Sequence, residues 1–371
     1  MPHFQTLKRA MKKLNIVYTC NVRKPDMEDE RYGEFESPET IEAVTSALER
    51  IGANVELIDV GPEIYHQLEK RKDRIDLVFN NTEGLEEKEL REAIVPFFCD
   101  YLHIPCTGSS PKTFINKMDK ATAKRIVAYD GVPTARYQLL KPGDRLRNLS
   151  FPLMVKPYSE GTSIGISQKS KVHDGLELDA AVSSIHAQFN QPALAEEFLP
   201  GREYTIGLIG NYVLPILEID FARIPGHPHV RDPHVKDIEN PYIAHLDWTD
   251  TAKRFAEIAV KAHEALEVRD YNRMDFRMRD DQLYFLEANV IPGIHPTEAD
   301  LTNMCRHAGL VHADMIALIV HTAVQRLAPI YPERFSGKTE TLEQLAIAAI
   351  GKIPCAGSIL YQDKTYTLLG R

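Results

Sequence analysis

The chain has no surplus of positive charge: 44 Lys and Arg stand against 53 Asp and Glu, a formal balance of −9. Such a chain offers no general attraction to nucleic acid or to an anionic membrane surface, although a local basic pocket can still hold phosphates. Cysteine is scarce. Cys20, Cys99, Cys106, Cys305 and Cys355 are scattered, odd in number and never spaced as CxxC. That argues against a disulfide framework or a structural zinc site, and for reduced thiols in a cytoplasmic compartment. No apolar run reaches membrane-spanning length, and the start, MPHFQTLKRAMKKLNIVYTC, lacks the apolar segment of a signal peptide. Familiar site signatures are missing too. No G-x-x-x-x-G-K-[ST], no G-x-G-x-x-G after a strand, no H-E-x-x-H and no G-x-S-x-G occurs.

What is present is an ordinary globular composition, 43% hydrophobic and 26% charged over 371 residues, enough for one large or two to three modest domains. The first third alternates strand and helix signals. Asn15–Thr19, Val55–Val60 and Ile75–Phe79 read as strands. Ser37 as N-cap and Pro38 at N1 open a helix carrying Ile41, Val44, Leu48 and Ile51, which Gly52 closes. Arg91–Leu102 is a second amphipathic helix. This alternation argues for a parallel α/β sheet with a site beyond its carboxyl ends, at Thr19–Arg23 and Asn80–Gly84. Asn116–Asp130 reads as one helix. Strands follow at Leu153–Pro157, Ile164–Gln168, Ala193–Leu199, Glu203–Ile209 and Leu214–Ile219. Helix Thr251–Leu266, strands Tyr271–Met278 and Leu283–Val290, and a long helix Met304–Leu327 complete two mixed α+β lobes. The expected divisions are 1–115, 116–200, 201–330 and a separate tail, 331–371, with a helix at Glu340–Ile350 and a hairpin around Asp363-Lys364.

Three segments carry chemistry. In Lys156–Gly165, KPYSEGTSIG, a strand ends in a lysine and runs into a loop where glycines bracket Thr162 and Ser163. Backbone N–H groups, hydroxyls and a cation suit phosphate oxygens, and a tight hairpin turn is the plain alternative. In Arg273–Asn289, alternation places Arg273, Asp275 and Arg277 on one face and Phe285, Glu287 and Asn289 on the facing strand. A three-residue loop, Asp280–Gln282, would set Asp275 opposite Glu287 and Arg273 opposite Asn289; a two-residue turn would break that phase. Two carboxylates and an amide carbonyl are oxygen ligands suited to Mg²⁺. In Ala195–Glu203, Glu196 and Glu203 flank an apolar Phe198-Leu199, either a hinge for a base or a simple strand and turn. The histidines at 227, 229 and 234 fall in the loop Ile224–Asn240, which reads as mobile rather than metal-binding.

The segments MVKPYSEGTSIG, EEFLPGREYTIG and YNRMDFRM…FLEANVIPG resemble, in order and spacing, ATP-grasp ligases of the D-alanine–D-alanine ligase type, over roughly residues 14–328. The resemblance implies an ATP-grasp fold: an N-terminal parallel α/β domain followed by two lobes that clamp ATP. It implies ATP-dependent joining of a carboxylate to an amine through an acyl phosphate, with ADP released. By resemblance Lys120 and Lys156 would bind phosphates, and Glu160, Gly161, Thr162 and Ser163 would cover them. Glu196, Phe198 and Leu199 would hold adenine and Glu203 the ribose; Asp275, Glu287 and Asn289 would ligate two Mg²⁺. Arg273 would stabilise the oxyanion, and Lys236 would lie in a lid, Ile224–Asn240, that shuts out water.

The substrate half departs from that pattern. Glu298, after Pro292-Gly293, stands where the D-alanine enzymes carry a hydroxyl residue against the acceptor's carboxylate. Asn80 or Asn81 stands in place of a histidine, and Glu34, Glu36 and Glu39 are the candidates for holding a donor ammonium. The expectation is a ligase of small-molecule amino-acid or carboxylate and amine substrates other than D-alanine, with no nucleic-acid or membrane partner. A true D-alanine–D-alanine ligase and a non-catalytic ATP-binding homologue are the rivals. Residues 331–371 would either pack on their own chain or extend a homodimer interface, a common arrangement in the family.

Overall fold

The computed structural model describes residues 12–25, 27, 32–33, 35–84, 90–161, 163–239 and 243–370. The N-terminal unit is built on β1 (Asn15–Cys20), α1 (Pro38–Arg50), β2 (Asn54–Asp59), α2 (Ile64–Glu69), β3 (Leu77–Asn81) and α3 (Ile94–Leu102). The three strands lie parallel in the order β2-β1-β3. Ser37 caps α1 by accepting from the Thr40 N–H at 3.1 Å, with Pro38 in the first turn, as its sequence predicts.

The stretch expected as one helix at Asn116–Asp130 is two: α4 (Pro111–Met118) and α5 (Lys120–Tyr129). Between them Asp119 has ψ 98°, and its carboxylate accepts from the Thr122 N–H at 2.9 Å, so the chain breaks and restarts at a fresh cap. That break points Lys120 and Lys124 inward from a new axis.

The central lobe is a four-stranded antiparallel sheet of β4 (Tyr137–Leu140), β5 (Leu153–Pro157), β6 (Lys171–Val172) and β7 (Ala193–Glu197), in the order β4-β7-β5-β6, backed by α6 (Gly175–Phe189). Leu153, Val155, Val172, Leu178, Val182 and Ile185 form its own small core. The strand expected at Ile164–Gln168 is absent: those residues form a turn and irregular chain that runs into a short 3-10 turn at Gln168–Ser170, and pairing with β5 begins at Lys171. The loop after Lys156 is therefore a long irregular cover rather than a hairpin turn.

The last lobe carries β8 (Glu203–Ile209), β9 (Tyr212–Val213), β10 (Leu217–Ile219), α7 (Pro233–Ile238), β11 (Ile243–His245), α8 (Asp250–Ala265), β12 (Tyr271–Arg279), β13 (Gln282–Asn289), α9 (Asp300–Ala308) and α10 (His312–Leu327). The expected helix Met304–Leu327 is split at Gly309, whose φ of +93° suits glycine, and α9 and α10 bend by 101°. Among the described residues no single helix is long and apolar enough to cross a membrane.

Residues past 330 are woven into this body. They form α11 (Pro332–Phe335), α12 (Glu340–Ile350), β14 (Cys355–Tyr361) and β15 (Lys364–Leu369), and β15 pairs in parallel with β9, extending the large sheet. Leu342, Ala346 and Ala349 of α12 enter the core that joins β1 and β3 to α10. Arg334 donates to the carbonyls of Asp73 and Ile75, and Lys338 pairs with Asp76 at 2.6 Å. The segment straps the N-terminal sheet to the last lobe. Leu342 is fully buried, so Leu342→Ala is expected to cost about 2–5 kcal/mol in urea unfolding; a change below about 0.5 kcal/mol would show that the segment does not stabilise the fold.

Candidate active site

The turn between β12 and β13 is two residues, Asp280-Asp281, both with positive φ, and not the three expected. A two-residue turn should have broken the phase of the carboxylates. A bulge restores it: Phe276 pairs with Phe285 but Asp275 pairs with Glu287, leaving Leu286 as the extra residue. Asp275 thus lies opposite Glu287 and Arg273 opposite Asn289, as expected, for a different reason. Phe285 does not share their face. It is fully buried in the core, edge-on to Phe276 at 5.8 Å, while Leu286 and Glu287 line the cleft.

That cleft, of about 750 Å³, lies between the central and last lobes and is lined by Lys156, Ser163, Glu196, Phe198, Leu199, Glu203, Arg231, Lys236, Arg273, Asp275 and Glu287 among others. Residues from all three segments singled out in the sequence meet here. Glu196 on β7 is shared by two lysines, Lys156 at 2.7 Å and Lys124 at 2.8 Å, and Lys124 also donates to the Phe285 carbonyl. Burial favours the neutral acid, but Lys124 and Lys156 outweigh it and hold Glu196 down at about 2. Burial likewise opposes the charge on Lys156, yet Glu196, Glu287 and Glu203 keep its pKa raised. Lys124 is lowered by burial.

Lys120 lies 3.3 Å from Glu287 and donates to the Glu160 carbonyl, while the Glu160 carboxylate accepts from Gln191 at 2.7 Å. Glu160 thus holds the loop after Lys156 through its backbone carbonyl and through its carboxylate. Gly161 begins the turn into Ser163; Thr162 lies outside the described residues. Ser163, with φ +63°, donates to the Arg231 carbonyl at 2.9 Å. Gln168 donates to the Val230 carbonyl and to Asp232, and accepts from the His229 N–H. The described part of the Ile224–Asn240 segment, residues 224–239, is therefore tied down over the cleft, and it contains a helix, α7. Gly165 (φ +73°) is demanded here: a Cβ would meet Pro157 at 2.7 Å and Phe189 at 2.8 Å.

Phe198 lies beneath Lys171, with Nζ 4.4 Å from the ring centre, and beside Arg277, whose guanidinium is 5.1 Å away. Leu199 is buried next to it. Burial pushes Glu203 up to about 7, against the opposing pull of Arg277 and Arg231.

Asp275 accepts from Thr205 at 2.9 Å and from the Asn289 amide at 3.2 Å, and sits 3.4 Å from Arg273. Burial raises its pKa and the nearby Glu287 adds to that, against the opposing pull of Arg273. Among the described residues no three His, Cys, Asp or Glu side chains cluster as a metal site. Two carboxylates and an amide still fit Mg²⁺, which keeps several positions for phosphate oxygens and water.

Sequence reasoning missed three charged residues here. Lys124 is one helical turn from Lys120, a spacing that could have flagged it. Arg231 and Asp300 could not have been flagged, since they meet only across the fold. Asp300 Oδ2 lies 2.7 Å from Arg273 and 3.1 Å from Arg231, and Oδ1 lies 3.0 Å from Arg231. Burial aside, these two arginines drive the Asp300 pKa far down. Lys236 lines the same cleft and is lowered by burial, then by Arg231 and Arg273.

The expected substrate residues are more dispersed. Glu298 is exposed and is not among the residues lining the cleft; its N–H faces His295 Nδ1 at 3.3 Å. Gly293 is exposed, and a Cβ there would meet only Ala299. Asn80 is buried at the end of β3, accepting from Thr19 at 3.0 Å, and its carbonyl accepts from Tyr271 at 3.4 Å. Asn81 donates to half-buried Glu36, which desolvation raises to about 7. Glu34 lies outside the described residues, and Glu39 is exposed, 3.7 Å from His295.

A family model described as D-ala D-ala ligase C-terminus matches residues 126–321. A D-alanine–D-alanine ligase of Desulforudis audaxviator is 30% identical over 295 residues, covering 76% of this chain and 92% of that one. An uncharacterized protein of Sinorhizobium fredii is 31% identical over 264 residues, 67% of this chain and 75% of that one. The crystal structure of a Bacillus anthracis D-alanine–D-alanine ligase superposes with TM-score 0.68 at 20% identity, over 85% of this chain and 99% of that one. The fold is thus an ATP-grasp fold, of the class of ATP-dependent, ADP-forming ligases that make a C–N bond. Within that class the chain belongs to the D-alanine–D-alanine ligase family.

The shared carboxylate gives a direct test. Glu196→Gln leaves two buried ammonium groups uncompensated, and is expected to cost about 3–5 kcal/mol at neutral pH. Because Glu196 titrates at about 2 when folded against 4.5 ordinarily, its contribution is full above pH 4.5 and lost as pH falls toward 2. The variant should lose that acid-sensitive component in chemical unfolding; an unchanged pH profile would contradict the arrangement.

Proposed function

We propose that the chain activates an amino acid's carboxylate with ATP in this cleft and passes the acyl group to an amine other than D-alanine. What carries the reading is the convergence of Lys120, Lys156, Lys236 and Arg273 on the Asp275–Glu287–Asn289 end of the β12–β13 hairpin. Glu287 is held down at about 2, against burial, by those same four cations. A polyanion drawn there meets several positive charges, and charge neutralisation with positioning is what phosphoryl transfer needs.

In this reading Lys120, Lys156 and Lys236 take phosphate oxygens, and Ser163 and the adjoining loop cover them. Phe198 and Leu199 flank the base, Glu196 orders the adenine end through its lysines, and Glu203 accepts from the ribose. Asp275, Glu287 and Asn289 would hold Mg²⁺, which when bound neutralises phosphate charge. The donor carboxylate attacks the γ-phosphorus, ADP leaves, and the amine then attacks the acyl carbon, expelling phosphate. Arg273 keeps its Nε buried without a hydrogen-bond partner, a donor free for the oxyanion that forms at that carbon. The tie between Ser163 and Arg231 keeps water from the acyl phosphate.

The donor's ammonium would be held by Glu36 with Asn81, whose Oδ1 is buried without a hydrogen-bond partner. The reading that D-alanine is not the acceptor rests on Glu298, which stands where the D-alanine enzymes resembled here carry a hydroxyl residue.

ADP release from MgATP should stay at background with D-alanine alone and rise with another donor and amine; robust turnover on D-alanine alone would reject the altered specificity. Chelating Mg²⁺ should abolish turnover, and Arg273→Ala should lower kcat by about 10²–10³-fold. Glu36 titrates at about 7 and binds an ammonium only when ionised. The donor KM should therefore fall as pH rises to about 7 and level above it, a dependence that Glu36→Gln should remove; a flat profile in the parent enzyme would exclude Glu36 from that role.

A further inference from the structure

Resting on the proposed reaction, we infer that Asp300 is a built-in counter-anion which selects acceptors whose amine-bearing carbon carries no carboxylate. Examples are an amino acid amide, an amino alcohol or a simple alkyl amine. An α-amino acid acceptor brings a carboxylate one carbon from its attacking nitrogen. With that nitrogen at the acyl carbon beside Arg273, the carboxylate needs an unoccupied cation or donor within reach. Three cations line that part of the cleft: Lys236, which the proposed reaction gives to phosphate, and the guanidinium groups of Arg231 and Arg273, which the chain has already taken.

Asp300 spreads its two oxygens over the Arg231 fork, at 3.0 and 3.1 Å, and the second oxygen also takes Arg273 Nη1 at 2.7 Å. Arg231 gives its Nε to Glu239 at 2.7 Å, and its Nη2 serves Glu239 as well as Asp300. Arg273 turns its Nη2 toward Asp275 at 3.4 Å. The side chains of Arg231, Glu239, Asp300 and Arg273 are 8, 3, 11 and 16% exposed, so little water screens them. The two cations face three carboxylates, Asp300, Glu239 and Asp275. A substrate carboxylate entering here would meet an anion already on its cations, and like charges brought together in a desolvated site cost several kcal/mol. Arg273 Nε, which Asp300 does not touch, stays free for the oxyanion. The chemistry is thus kept while the acceptor's second charge is refused.

Asp300 opens α9 at its first position, and Ala299 before it supplies no side-chain cap. A carboxylate there suits the helix dipole, but that role asks nothing of the guanidinium of Arg231, which reaches it from the lid 69 residues away in sequence. Latching the lid is the rival role. A latch would affect every acceptor alike, whereas a counter-anion separates acceptors by charge.

The experiment has two stages on the full chain. Hydroxylamine first traps the acyl phosphate made from MgATP and each common amino acid in both configurations, which identifies the donor independently of any acceptor. That donor is then ligated to alanine and to alaninamide, and kcat/KM is read from ADP release with the product mass confirmed. Alaninamide should be preferred at least tenfold, and Asp300→Asn should move the alaninamide-to-alanine ratio at least tenfold toward alanine. The ratio cancels any common loss from folding or lid closure, and the intrinsic difference between the two amines cancels between parent and variant. Equal or better use of alanine by the parent chain would overturn the inference. So would an Asp300→Asn chain in which both acceptors fall by one factor, the mark of a latch. Absence of hydroxamate from every amino acid would instead overturn the ligation reading itself.

Discussion

Lys156 at the end of β5 and Lys124 on α5 both reach the carboxylate of Glu196, within a region that almost no water enters. Three elements from two lobes are pinned by that one carboxyl group. An ammonium group buried without a partner would shed its proton, since desolvation lowers a lysine's pKa. Glu196 keeps Lys156 charged where the cleft opens. Lys120 is held 3.3 Å from Glu287 one step further along, so the cleft presents fixed positive charge instead of mobile side chains that must be ordered at the moment of reaction.

The opposite end of the cleft is organised by carboxylates. Asp275 and Glu287 meet because a single extra residue, Leu286, corrects the phase lost at the two-residue turn. Asp300 and Glu239 hold the lid arginine, and Asp300 joins it to Arg273. In the proposed reaction one end takes the phosphates, and the other limits which amine can approach. The segment beyond residue 330 supports both by fastening the N-terminal sheet, with Glu36 and Asn81 at its carboxyl edge, to the lobe that carries Arg273.

Much of this was legible locally. The cap at Ser37-Pro38, the glycine-bracketed loop after Lys156, and the alternation of Arg273, Asp275 and Arg277 each state their role within a few residues. The resemblance to ATP-grasp ligases rests on those same local runs. What escaped depends on contacts between distant segments or on one-residue details of register. Asp119 ends a helix through its own cap although the flanking residues favour helix, and Gly309 turns what reads as a continuous apolar run by 101°. The bulge that buries Phe285 and exposes Leu286 leaves no mark on hydrophobic periodicity. Asp300 reads in sequence as an ordinary acid in a first helical turn, and only the approach of Arg231 from the lid gives it a second meaning. Glu298, which counting along the chain made prominent, is exposed, and the anion that meets Arg273 is two residues later.

In the proposed reaction a donor carboxylate is activated by direct attack on the γ-phosphorus of ATP in this cleft. Oxygen transfer tests it most directly. A donor amino acid labelled with heavy oxygen in its carboxylate is ligated to completion, and the inorganic phosphate released with ADP is analysed by mass. An acyl phosphate requires one labelled oxygen in each phosphate, because the C–O bond broken by the amine is the one that joined the donor to phosphorus. Unlabelled phosphate accompanying amide product would contradict the account.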